Sequence, residues 1–97
     1  MTGMTMKEFV DKIYYGSEIE FKLYEITYFI QGYKQDSEFY LTVDYWMKSD
    51  GTEAEHDYLF SVHCSTAQEC VDKFTNAKLF HNKTIYEVEK DIVVLYG

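Results

Sequence analysis

The feature that most constrains this chain is a succession of four short β-rich segments between residues 18 and 63. Apolar and polar side chains alternate in three of them, and residues 26–33 are rich in aromatic and β-branched side chains. A β-strand points successive side chains to opposite faces, so the pattern predicts strands with one apolar and one polar face. The predicted strands are residues 18–23, 26–33, 38–47 and 58–63. The segments between them predict a hairpin at Tyr24 and Glu25, a polar break at residues 35–37 and an Asp-Gly turn at residues 49–52.

Amphipathic helices are predicted on both sides of these strands, because apolar residues recur there at spacings of three and four. The first helix begins at Thr5, which is followed by Glu8 at the spacing of a capping box, and Gly16 is a typical C-terminal stop. The second helix is predicted from Thr66 to near Asn76.

The last part of the chain, residues 82–96, allows two interpretations. Asn82 or Thr84 can open a last helical turn or two, but the same segment also alternates like a strand that returns to the sheet. The helical interpretation uses Ile85, Val88 and Ile92, whereas the strand interpretation uses Tyr86, Val88, Ile92, Val94 and Tyr96.

These elements predict one α+β domain that covers residues 1–97. It has an N-terminal helix, a four-stranded antiparallel β-meander, and one or two C-terminal helices packed on one sheet face. A chain of 97 residues buries enough surface for one core. A single helical layer leaves the other sheet face in water, as antiparallel sheets permit.

The charge of the chain excludes several classes of partner. Seventeen Asp and Glu against nine Lys and Arg give a net charge of −8. This charge repels phosphate backbones and anionic lipids, so we expect no direct binding of nucleic acid or membrane, and a protein partner with a basic surface. No apolar run approaches the ~20 residues that span a bilayer, and residues 1–7 lack a secretion signal, so we expect a cytoplasmic protein.

Few residues are candidates for catalysis or metal binding. His63 and Cys64 are neighbours on a predicted strand and point to opposite faces, so they do not pair as base and nucleophile. Reduced core cysteines at Cys64 and Cys70 are the main expectation, and a thiol enzyme is the alternative. The His and Cys spacings do not repeat as zinc ligands do, and residues 50–57 lack calcium-loop spacing. We predict no catalytic residue, metal site or cofactor, and a protein that is not an enzyme.

An acidic surface is the strongest candidate for a binding site. Side chains two apart on a strand face the same way and stand ~6.6 Å apart, which is similar to the separation of successive phosphates along a nucleic-acid strand. The predicted binding residues are Glu18, Glu20, Asp44, Trp46, Asp50, Glu53, Glu55 and Asp57. Plain solubility is the alternative explanation for such carboxylates.

Aromatic side chains are also expected on the outer face of the sheet. Tyr33, Tyr40, Tyr45 and Trp46 cannot all fit beneath one helix layer, so some of them must be exposed. Exposed Tyr and Trp serve as interface anchors, and simple cross-strand aromatic pairing is the alternative.

A short helix ending in Gly16, the strand segment 18–21, an aromatic meander and the closing segment 82–88 follow one another in this chain. In this order the chain resembles small uncharacterised proteins of Gram-positive bacteria and their phages. Its size, acidity and architecture also resemble those of anti-CRISPR proteins. That resemblance implies a phage protein that blocks a Cas effector in the cytoplasm of the bacterial host.

We therefore expect a stoichiometric protein-binding inhibitor of a nucleic-acid-binding effector, such as a Cas nuclease, that acts through its acidic surface. The alternative is a bacterial or phage interaction module that self-associates, with the exposed sheet face or an edge strand forming a two-fold dimer.

Overall fold

The structure, a computed structural model, describes residues 1–24, 26–48 and 53–97, with the backbone alone for residues 46–48 and 53–58. The helices are α1 (Met6–Tyr14) and α2 (Ala67–Asn76), and a 3₁₀ turn covers Glu89–Asp91. The strands are β1 (Ile19–Leu23), β2 (Ile26–Gln35), β3 (Glu38–Lys48), β4 (Glu53–Cys64) and β5 (Ile92–Tyr96). The strands pair antiparallel in the order β4-β3-β2-β1-β5, which confirms an α+β fold.

The sheet has five strands, so the prediction of four is wrong by one. Thr84 does open a turn, since its N–H donates to Glu87 Oε1 at 3.0 Å, and this turn buries Ile85 and Val88. The chain then straightens at Ile92 and pairs with β1. Only α2 follows the meander as an α-helix among the described residues. The ambiguous segment divides because its first half makes the local capping bonds of a turn, while its second half lies beside an unpaired strand edge.

Both α-helices begin where their caps predict. Thr5 Oγ1 accepts from the Glu8 N–H at 3.2 Å, and Glu8 Oε1 accepts from the Thr5 N–H at 3.4 Å, which completes a capping box. Thr66 Oγ1 accepts from the Glu69 N–H at 3.2 Å at the start of α2. These bonds satisfy backbone donors that the first turn of a helix leaves unpaired.

Two tight hairpins hold the meander in register. Tyr24 lies in the left-handed region with φ 56°, and β1 and β2 pair directly on either side of it. Its partner in the predicted turn, Glu25, lies outside the described residues, as does the Asp-Gly turn of residues 49–52. Asp36 and Ser37 both have positive φ, 53° and 65°, as the favoured two-residue hairpin turn requires.

One face of the sheet forms the core together with both helices. Alternate residues of β1 to β3 are fully buried on this face, and Phe9 and Ile13 of α1 and Phe74 of α2 pack against them. The ring of Phe21 lies 5.5 Å from that of Phe9, 5.2 Å from that of Tyr28 and 5.9 Å from that of Phe80. This aromatic cluster links α1, the sheet and the segment after α2.

The end of α1 lies directly on β2 through two glycines. Gly16 has φ +77°, and a Cβ built on it would lie 3.2 Å from Gly32 O. A Cβ built on Gly32 would lie 3.1 Å from Gly16 Cα and 3.3 Å from Phe39 Cζ. The close backbone approach therefore requires glycine at both positions.

We predict that Gly16→Ala lowers the free energy of unfolding by about 1–3 kcal/mol, because alanine is strained at positive φ and its methyl group presses on β2. Urea unfolding followed by circular dichroism measures this change. Gly97→Ala is the matched control, since its methyl group would first meet the flexible end of Met4. Equal stability of Gly16→Ala and wild type would contradict the close contact.

The inward and outward positions of β5 give a second prediction. Ile92 is fully buried, whereas Val93 is 40% exposed on the other face. Ile92→Ala should cost about 2–5 kcal/mol by leaving a cavity, and Val93→Ala less than about 1 kcal/mol. Similar losses for the two variants in urea unfolding would show that β5 is not a half-buried strand.

Candidate functional site

The sheet face opposite the helices is the candidate functional site, and we refer to it as the open face. Its side chains alternate with the buried core residues, and apart from Thr27 they are half-buried or exposed. On the described central part of the sheet, the open face carries Glu20, Lys22, Phe29, Gln31, Tyr33, Glu38, Tyr40, Thr42, Asp44, Ser61 and His63.

A row of acid, aromatic and acid crosses the open face. Glu20 of β1 lies opposite Phe29 of β2, which in turn lies opposite Asp44 of β3. Neighbouring strands are ~4.8 Å apart, so the two carboxylate side chains start ~10 Å apart with the Phe29 ring between them. The three side chains are each half-buried. The row presents two negative groups around an apolar contact surface.

An aromatic ladder crosses the open face nearer the hairpin of β2 and β3. The rings of Tyr33 and Tyr40 stack with centroids 5.0 Å apart and an interplanar angle of 5°. Tyr40 in turn stacks on the imidazole of His63 at 4.9 Å and 13°. His63 Nε2 contacts the Glu38 carboxylate, which holds the imidazole in place at the end of the ladder. The three stacked rings form a flat surface, because each ring lies nearly parallel to its neighbour.

A cleft of about 580 Å³ opens beside the ladder, between the end of α1, the β2-β3 hairpin and the start of α2. Tyr33 and Glu38 belong to both the cleft and the open face, and Tyr14 and Tyr15 line the far wall. Tyr14 and Tyr15 are both exposed, with ring centroids 5.2 Å apart. The aromatic surface therefore continues around the end of the sheet.

The structure places the predicted binding residues in several positions. Glu20 and Asp44 lie in one row of the open face, and Glu18 precedes β1 and is exposed. Trp46 lies in β3, and Glu53, Glu55 and Asp57 lie in β4, where the backbone alone is described. Asp50 lies outside the described residues. The predicted acidic column along β4 therefore stays a prediction. Glu20 and Asp44, the predicted residues whose side chains are described within strands, are neighbours across the sheet and not along one strand.

The assembled ladder and the contact between Glu38 and His63 were not predicted from the sequence. The sequence does contain a signal for the stacking of Tyr33 on Tyr40. Both residues are equally far from the two-residue turn at residues 36–37, and a tight hairpin places such residues opposite each other. The position of His63 opposite Tyr40 has no such signal. The register of β3 and β4 shifts between their connection and this pair, so counting residues from the connection does not place His63. Of the aromatic residues expected outside, Tyr33 and Tyr40 are on the open face, whereas Tyr45 packs against the core.

The two cysteines lie on the core side of the molecule. His63 is exposed on the open face and Cys64 is buried on the other, so the two adjacent side chains point apart. Cys70 Sγ donates to Phe39 O at 3.4 Å. Burial, together with a hydrogen bond to the thiol of Cys64, raises the pKa of Cys70 to about 12. A thiol with such a pKa is protonated, and therefore a weak nucleophile, near neutral pH.

We predict that neither thiol reacts with a small alkylating reagent in the native protein near pH 8, and that both react in urea. The raised pKa also means that the unfolded chain loses its Cys70 proton first as pH rises. The contribution of Cys70 to stability is therefore complete below about pH 9 and is lost progressively towards pH 12. Mass spectrometry after timed alkylation measures reactivity, and rapid native labelling of Cys70 would contradict the buried position.

The described residues also bear on two other features, a metal site and a membrane-spanning helix. Among residues 1–24, 26–48 and 53–97, no group of three or more His, Cys, Asp or Glu side chains is arranged to hold a metal ion. None of the described helices is both long enough and apolar enough to span a bilayer.

No protein-family model matches the chain, and comparison with curated proteins and with solved structures finds no match.

Proposed function

We propose that the protein is a small binding protein that docks its open face onto a basic surface of another protein, and that it inhibits a nucleic-acid-binding effector such as a Cas nuclease. The observation that supports this proposal most directly is the row of Glu20, Phe29 and Asp44 beside the ladder of Tyr33, Tyr40 and His63. Carboxylates and flat rings alternate there on a surface that no described helix covers.

This combination suits Lys and especially Arg on a partner. A guanidinium group stacks on an aromatic ring and pairs with a carboxylate at the same time, so it uses both components of the open face. The net charge of −8 speeds the encounter with a basic surface, and the half-buried rings supply the contact that excludes water. Specific affinity would come from the rings, and the rate of association from the charge.

Inhibition follows from the kind of surface that is occupied. Proteins that bind nucleic acid hold phosphates with grooves of Lys and Arg. A folded acidic domain bound in such a groove excludes the nucleic acid without any chemical step, so one molecule blocks one effector. This mechanism predicts competition between the protein and the nucleic acid for the same site.

The test uses guide-loaded Cas nucleases as the candidate effectors and measures both binding and DNA cleavage. The double variant Glu20→Lys and Asp44→Lys should weaken binding at least about tenfold, because each reversal replaces an attraction with a repulsion at the contact. Raising the salt concentration from ~50 to ~500 mM should weaken binding by wild type more than binding by the variant.

Asp11→Lys is the matched control, since Asp11 is an exposed acid on α1, away from the open face. It makes the same change in net charge as Glu20→Lys alone, which is half the change of the double variant, and it should leave affinity close to that of wild type. Thermal unfolding of the double variant and of Glu20→Lys alone, each compared with that of wild type, separates a loss of binding from a loss of fold. Equal inhibition by wild type and the open-face variants, or binding that is insensitive to salt, would exclude the proposed mode of action.

A further inference from the structure

Two buried thiols meet where the end of the sheet adjoins the start of α2. Cys64 is the last residue of β4, and Cys70 follows the first residues of α2, where its N–H donates to Thr66 O. Cys64 is 6% exposed and Cys70 is fully buried, so both side chains belong to the core. Both are free cysteines, and the proposed function uses neither of them. The pair is therefore a reactive feature of the core without an assigned role.

The strand register brings the two sulfur atoms together. Phe39 of β3 lies directly opposite Cys64 of β4. Cys70 Sγ donates to the carbonyl oxygen of the same Phe39 at 3.4 Å, so Cys70 lies against the strand pair that contains Cys64. Paired residues of an antiparallel ladder have Cα atoms only ~4.5–5.5 Å apart. The thiols of Cys64 and Cys70 are hydrogen-bonded to each other there. Side chains that already point towards each other meet the main geometric condition for a disulfide.

The chain that joins the two cysteines is short and lies at the surface. Residues 65–69 are exposed or half-buried, and they include the cap residue Thr66 and the first residues of α2. The ends of helices are among the first parts of a structure to open, since few buried contacts hold them. Opening of this segment exposes the thiols without unfolding of the sheet. Because the thiols are buried until it opens, their exchange in the native protein is slow.

We propose that Cys64 and Cys70 are a redox-active pair, which a low-molecular-weight disulfide such as oxidised glutathione converts to an internal disulfide between the end of β4 and the start of α2. The thiolate of one cysteine attacks a sulfur of oxidised glutathione and releases one glutathione. The second cysteine then attacks the protein sulfur of the mixed disulfide and releases the other glutathione. The protein loses two electrons and two protons, and the oxidant gains them as two glutathione thiols.

The internal disulfide joins two elements that the fold already holds side by side. Its formation replaces the hydrogen bond from Cys70 to Phe39 O, which is weak because a thiol is a poor donor. It also restricts the unfolded chain, which favours the folded state. The segment that it closes contains Ser65, Thr66 and Ala67, which form one wall of the cleft, so oxidation fixes that wall to the sheet. The pair lies in the core, and the proposal does not depend on the proposed function.

The equilibrium of wild type with reduced and oxidised glutathione tests the pair directly. Reduced and oxidised samples are incubated in the same glutathione mixtures, in buffer and in concentrated urea, until both starting states give the same result. The samples are then unfolded and alkylated, and mass spectrometry counts the remaining thiols. We expect the equilibrium constant for the internal disulfide to be at least about tenfold larger in the native protein than in urea. A ratio of one or less, or a native product that carries glutathione on one cysteine, would overturn the proposal.

Urea unfolding of the same samples gives a second measurement. A disulfide that forms more readily in the native state must stabilise that state, so oxidised wild type should unfold at a higher urea concentration than reduced wild type. The double variant Cys64→Ala and Cys70→Ala has no thiol and is the matched control, with the same midpoint expected in both redox buffers. An equal or lower midpoint for oxidised wild type, or a disulfide that links two chains and doubles the mass, would contradict the internal pair.

Discussion

The burial of one sheet face beneath two helices is the constraint on which the rest of this structure depends. Phe21 lies at its centre, in ring contact with Phe9 from α1 and with Phe80 from the segment after α2. Each such side chain contributes about 1.5–3 kcal/mol when fully buried. None of the described helices covers the other face, so that face is left to polar and aromatic side chains.

The surface features of the molecule follow from what this core leaves outside. Strand alternation places Glu20 and Asp44 on the open face because their neighbours are needed inside, and pairing then brings them to either side of Phe29. The same geometry lines up Tyr33, Tyr40 and His63. Among the described residues, the fold also leaves the free edge of the sheet, at β4, without a paired strand, while the N-terminal segment covers the other edge at β5. The open face and the free edge are therefore separate parts of the molecule.

Local signals predicted the elements where a few neighbouring residues determine the conformation. The caps at Thr5 and Thr66 located both helices, because a cap bond spans only three residues. The turn at residues 36–37 likewise located a hairpin. The prediction of a fifth strand was left open because residues 82–96 fit both the helical and the strand periodicity. Pairing with β1, about 70 residues earlier in the chain, decided that the end of this segment is a strand. The candidate site was predicted as Trp46 and carboxylates in rows along single strands, whereas Glu20 and Asp44 lie on either side of Phe29 across three strands.

The sequence by itself determined the type of α1, α2 and the first four strands, most of the residues that face inward, and the acidity of the chain, because periodicity, capping and charge are properties of short segments. The tertiary structure alone decided that β5 lies beside β1, that Glu20 and Asp44 flank Phe29, and that His63 completes the ladder beside Glu38. Such neighbours come from distant parts of the chain, and register shifts between strands alter which residues meet. The edge at β4 is likewise a consequence of strand order, which no local pattern encodes.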